Sequence, residues 1–145
     1  MVIAVLTFVT GRPRRAAHRV TAALGWLWAA GIVGLTFGTP PGGGQAINVE
    51  LLNVGNTADI KDFLVNIAMF VPGGILLAAA HAGYRWACIV GALGSLTIEV
   101  TQYLTASGRT ADINDLLANT AGCIIGYLCA AAVRKTTSRR APNAE

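Results

Sequence analysis

With 145 residues, 54% of them apolar and only 12% charged, the chain carries roughly half the charge of an ordinary soluble domain, for which about 25% is typical. Most of its length therefore cannot form a water-facing surface. The net charge of +4 does not indicate a nucleic-acid partner, because the basic residues flank apolar segments instead of forming a patch beside exposed aromatics.

Residues 1–10 are apolar but too short to span a bilayer, and no positive charge precedes them as a secretory signal requires. A basic run of Arg12, Arg14, Arg15 and Arg19 follows. Four apolar stretches then lie between charged boundaries, at 20–37, 63–80, 86–104 and 116–133. Each reaches about 27 Å as a helix, close to the hydrocarbon thickness of a membrane, where a backbone must satisfy its own polar groups. A soluble four-helix domain would need polar stripes, and 24–37 and 70–80 offer none. The first span also reads as a cleaved signal, but its full membrane length and the bulk of Trp26 and Trp28 favour a retained anchor.

Between the first two spans, residues 38–56 are rich in Gly, Pro and Asn, which suits a loop, with 47–52 as a short interfacial segment. A brief turn at 82–85 makes the second and third spans antiparallel neighbours, and 106–111 joins the third to the fourth. The first span is the more loosely tethered member. The tail after Lys135 is rich in Ser, Thr and Arg and is expected to be disordered. The fold expected is an all-α, polytopic transmembrane bundle of about four helices. Residues 1–19 form a basic cytoplasmic segment, 20–133 the membrane domain and 134–145 a basic cytoplasmic tail.

Orientation follows from charge. With the amino end inside, Arg12, Arg14, Arg15, Arg19, Arg85, Arg134, Lys135, Arg139 and Arg140 all lie on the cytoplasmic side, leaving Lys61 and Arg109 outside. Glu50, Asp59, Asp62, Asp112 and Asp115 then fall outside, and both termini are cytoplasmic.

The spans are not uniformly apolar. Asn66 lies about 5 Å into the second, Glu99 about 8 Å from the outer end of the third and Asn119 about 5 Å into the fourth, all in the outer leaflet. Gly91, Ser95, Glu99 and Gln102 share one face of the third span. Asp112, Asp115, Asn119, Gly122 and Gly126 form a matching stripe on the fourth, and Asp62, Asn66 and Gly73 repeat it on the second. Small residues such as Gly122 and Gly126 let backbones approach, so the deep ends pack while the outer ends open as a polar pocket. Pro72 removes a backbone donor, and Gly73 and Gly74 permit a bend, although prolines are also tolerated in membrane helices.

Glu99 is the most informative residue, since an ionised carboxylate in hydrocarbon costs about 2.5 kcal/mol or more unless paired or hydrated. It is either protonated or paired with Arg109 folded back on its loop. Its role is either to fix the bundle or to serve a ligand or a reaction. Arg109 beside Gly108 suits an anion clamp. Asp112, Asp115 and Glu99 are candidates for a divalent cation, though Asp112 suits an N-cap better. His18 and His81 lie far from these carboxylates, and Cys88, Cys123 and Cys129 lack metal spacing, so no metal or cofactor is expected.

The run 62–74 (DFLVNIAMFVPGG), then Ile98, Glu99 and Gln102, then Gly108, Arg109, Asp112, Asp115, Asn119, Gly122 and Gly126, resembles the VanZ-like family of small bacterial membrane proteins. The similarity covers roughly 20–133. The family's founding member is tied to low-level resistance to teicoplanin, so the resemblance implies a place in the bacterial cytoplasmic membrane and a role at the cell envelope. Some relatives carry a histidine near the start of the second helix; none stands between Asp59 and Asn66 here. The expected ligand set is Asp62, Asn66, Glu99, Gln102, Arg109, Asp112, Asp115 and Asn119. Packing is expected from Pro72, Gly73, Gly74, Gly91, Ser95, Gly122 and Gly126. The expected partners are membrane lipids and an amphiphile such as a lipid-linked wall precursor or a lipoglycopeptide. The rival readings are an integral-membrane enzyme acting on a lipid head group, with Glu99 as acid or base, and a structural bundle that binds another membrane protein.

Overall fold

In a computed structural model, residues 13–38, 46–105 and 110–140 are described. The expectations for 1–10, Arg12, the Pro- and Gly-rich 39–45, Gly108, Arg109 and the residues after 140 fall outside them. Four helices carry the described chain: α1 (Pro13–Phe37), α2 (Thr57–Ala79), α3 (Tyr84–Leu104) and α4 (Ile113–Arg140). All are long and apolar enough to cross a membrane.

Several helix ends lie beyond the apolar runs. Pro13 opens α1, its fixed φ suiting a first helical position. Asn56 caps α2 by accepting from the Ala58 amide at 3.0 Å, and its Nδ2 donates to Asp59 at 2.8 Å. The expected disorder after Lys135 does not hold for 136–140, where α4 continues. Lys and Arg are good helix formers, and Thr136 and Thr137 donate their hydroxyls to the Val133 carbonyl.

The α2–α3 connection is a tight Schellman turn. The amides of His81 and Ala82 donate to the carbonyls of Ala78 and Leu77 at 3.1 and 3.0 Å, with His81 in the left-handed region at φ 57°. From α4, Arg134 donates to the Ala78 carbonyl at 2.9 Å and Tyr127 to the Ala82 carbonyl at 2.9 Å. The last helix therefore fastens the turn that joins the previous two.

α2 and α3 are antiparallel, as the short turn requires, but both pack mainly against α4. The reason is visible in the glycines. A Cβ at Gly122 would collide with the Ile67 carbonyl, one at Gly126 with the Val71 carbonyl, and one at Gly74 with the Cys123 carbonyl. At Gly91 a Cβ would come within 3.0 Å of the Thr120 Cα. These positions bring backbone against backbone, the form of contact that membrane helices use when apolar burial gives no preference over lipid. The core is accordingly built from Phe70 with small residues, Ala87, Ala118, Cys123 and Ser95.

α1 leans on α2 through fewer contacts. Trp28 donates its indole N–H to the Met69 carbonyl at 2.8 Å and meets the Phe70 ring edge-on at 5.7 Å. A Cβ at Gly73 would strike the Trp28 ring, so this glycine serves α1, whereas Gly74 serves α4. Pro72 sits within an unbroken helix and lines an apolar groove with Leu24, Leu27 and Trp28.

The remaining apolar surface, including Leu27, Val33, Leu93 and Leu128, faces outward. Along α3 and at its C-cap, Thr97, Thr101 and Thr105 donate their hydroxyls to carbonyls four residues earlier, each at 2.7 Å, which satisfies these three donors within the helix.

The 47–52 segment contributes a strand. Its β1 (Ile47–Asn48) pairs in parallel with β2 (Ala111–Asp112), Ile47 opposite Ala111 and Asn48 opposite Asp112. This two-residue bridge ties the α1–α2 connection to the residues that precede α4.

Candidate functional site

A cavity of about 710 Å³ opens at one end of the bundle, where α1 and α3 finish and α2 and α4 begin. The sequence-predicted polar residues Asp62, Asn66, Glu99, Gln102, Asp112, Asp115 and Asn119 all line it. Glu50, Asp59 and Asn48 also line it, so every acidic residue of the chain except Glu145 faces this space. Among the described residues no Lys or Arg does. Lower on the wall lie Leu35, Val65, Met69, Phe70 and Ile98. Polar and apolar surfaces thus meet in one concavity.

α2 and α4 contribute a paired amide and carboxylate. Asn66 Nδ2 donates to Asp115 Oδ1; both residues are half-buried, Asn66 in the third turn of α2 and Asp115 in the first turn of α4. α3 contributes Glu99 and Gln102, 8% and 3% exposed. Glu99 Oε2 accepts the backbone amide of Asp112 at 2.8 Å. A backbone amide aimed at a carboxyl oxygen fixes its orientation.

Asp112 stands just before α4 and not on its stripe. Its Oδ1 accepts the Asn114 amide at 2.8 Å, the N-cap geometry, and its Oδ2 accepts from Asn48 at 2.9 Å. Asp112 is thus engaged as a cap and by Asn48, apart from Glu99 and Asp115 as a shared cation ligand. Among the described residues no three His, Cys, Asp or Glu side chains converge as a ligand set, because Asp112 is turned toward its cap and the strap.

Asn114 was not legible as a site residue, yet it secures the cavity's rim. Its Oδ1 accepts from the Leu52 amide at 2.9 Å, and its Nδ2 donates to the Glu50 carbonyl at 2.8 Å. One side-chain amide thereby acts as a further peptide unit beside the β1–β2 bridge. Asn48, Glu50, Leu51, Leu52 and Asn53 line the cavity, and the Asn114 bonds strap this segment to the start of α4. The only sequence signal for this was a pair of asparagines beside a loop and a helix start.

Deepest in the group is Asn119, 4% exposed. Its Nδ2 donates to Ser95 Oγ at 2.9 Å across the α3–α4 interface, where Ser95 is fully buried. Its Oδ1 is buried with no hydrogen-bond partner. Gly122 and Gly126, one and two turns further along, meet α2 instead. The stripe on α4 thus divides between its two neighbours.

Four helices of spanning length around a polar concavity at one end define a small multi-pass membrane protein. The chain belongs to the VanZ/LLP1 family, which it matches over residues 12–134. No curated protein and no solved structure matches it.

Proposed function

We propose that this VanZ-family protein binds the head group of an amphiphile in the cavity, and that it does so from the outer leaflet of the bacterial cytoplasmic membrane. The observation that carries the reading is the joining of a polar rim to an apolar lower wall formed by Met69, Phe70 and Ile98. A head group fits the first and the start of an acyl chain the second. The charge pattern supports the orientation, with Arg85, Arg134 and Lys135 at the opposite end from the acidic cavity and both termini cytoplasmic. A lipid-linked wall precursor or a lipoglycopeptide has the required amphiphilic character, and its capture would alter glycopeptide susceptibility, including that to teicoplanin, without covalent chemistry.

Native mass spectrometry of the protein extracted with its lipids tests this reading. The expected result is a co-purifying amphiphile whose occupancy falls at least severalfold in Glu99→Gln. If Glu99→Gln and Arg109→Ala proteins both protect cells from teicoplanin as well as the unmutated protein does, the link between cavity and phenotype fails. One observation favours an enzyme instead: Glu99 is buried, faces the cavity and is oriented by a backbone amide. In that case Glu99→Gln retains the ligand and loses turnover.

A further inference from the structure

We infer that the group reaching the bottom of this cavity is a primary ammonium, an inference that rests on the amphiphile reading above and specifies its head group. The first support is Asn119. Its carbonyl oxygen is buried in the cavity wall without a partner, while its amide nitrogen is spent on Ser95. A buried acceptor in this state is costly, and a ligand N–H removes the cost.

The second support is the direction of the wall's own donors. Asn66 Nδ2 is turned to Asp115, Asn48 Nδ2 to Asp112, Asn114 Nδ2 to Glu50 and the Asp112 amide to Glu99. These four donors are consumed by the protein, and an acceptor such as Asn119 Oδ1 requires a ligand that brings its own N–H or O–H. The third support is charge. The acidic side chains along the wall favour a cation over a phosphate or carboxylate, and the neighbouring Lys61 is exposed and does not line the cavity. Two common head groups each lack one requirement: a hydroxyl has a donor without charge, and a trimethylated ammonium has charge without a donor. A primary ammonium supplies three donors and a positive charge.

Calorimetric titration of the purified protein in maltoside micelles separates the possibilities, using dodecylammonium, dodecyltrimethylammonium, dodecyl phosphate and ethylammonium as probes. Dodecylammonium is expected to bind about tenfold tighter than dodecyltrimethylammonium, the scale of one charge-assisted hydrogen bond. It is also expected to bind more tightly than dodecyl phosphate. Asn119→Ala should erase the preference between the two ammonium probes, and Asn119→Asp should keep or increase it. Equal binding of those two probes by the unmutated protein, or a preference for dodecyl phosphate, overturns the ammonium inference and leaves the amphiphile reading standing. Ethylammonium binding as tightly as dodecylammonium does the reverse, pointing to a soluble amine. Should neither Asn119 variant fold, the four probes on the unmutated protein still decide, and no binding by any of them overturns both readings.

Discussion

A methyl group added at Gly126 has nowhere to go, because the atom in its path is the Val71 carbonyl of a neighbouring helix and not the flexible end of a side chain. Gly126→Ala must push α2 and α4 apart, and overpacking of this kind costs about 1–3 kcal/mol. Gly31, by contrast, has open space around its Cβ position, so Gly31→Ala should leave stability unchanged or slightly raised. Unfolding midpoints of the two variants in detergent micelles check the contrast; equal values would mean that α2 and α4 do not meet at this seam. Glycine spacing alone showed that α4 had a close-approach face. It did not show that Gly74 completes the same seam from α2 while the adjacent Gly73 accommodates Trp28, because consecutive residues on a helix differ in direction by about 100° and the partner of each depends on tertiary placement.

At the scale of elements, the spans were legible because a bilayer demands a long uninterrupted apolar run, a requirement that composition reveals directly. Their ends were not. Hydropathy marks where hydrocarbon stops, whereas α1 begins at Pro13 and α4 runs to Arg140 for reasons of helix propensity and capping. The bridge between β1 and β2 was invisible for another reason. It is two residues long and joins positions 64 apart in sequence, Ile47 with Ala111 and Asn48 with Asp112, so it has no periodicity to read. Asn114 fastens it at two points, and Asn114→Ala removes both bonds, each worth about 1 kcal/mol. Amide exchange across 46–53 should then accelerate by about tenfold or more while the α2–α4 seam keeps its protection. Unchanged exchange in that segment would show that the strap is held by something other than this side chain.

For the molecule as a whole, the acidic end and the basic end predict a single orientation. With Cys88, Cys123 and Cys129 replaced by alanine, a lone thiol introduced at Gly55 should react with a membrane-impermeant maleimide on intact cells, and one at Gly83 should react only after lysis. Reversed labelling would place the cavity on the cytoplasmic side and remove the envelope ligand from consideration. The sequence carried the shared depth of Asn66, Glu99 and Asn119, and the structure places all three on one cavity. Depth alone could not say how their donors and acceptors would be shared. The unmet oxygen of Asn119 follows from Ser95 taking its nitrogen, a pairing between two helices that no local pattern encodes.

The helix that organises the bundle is also the last of the four in chain order. α4 supplies the partners of Asn66 and Ser95, and β2, just before it, supplies the amide that Glu99 accepts. A three-helix chain lacks those bonds, each worth about 1 kcal/mol, and the backbone seam that Gly122 and Gly126 form with α2. A chain cut short before Ala111 is therefore expected to be degraded faster in cells than the full-length chain, a difference that pulse-chase labelling reads.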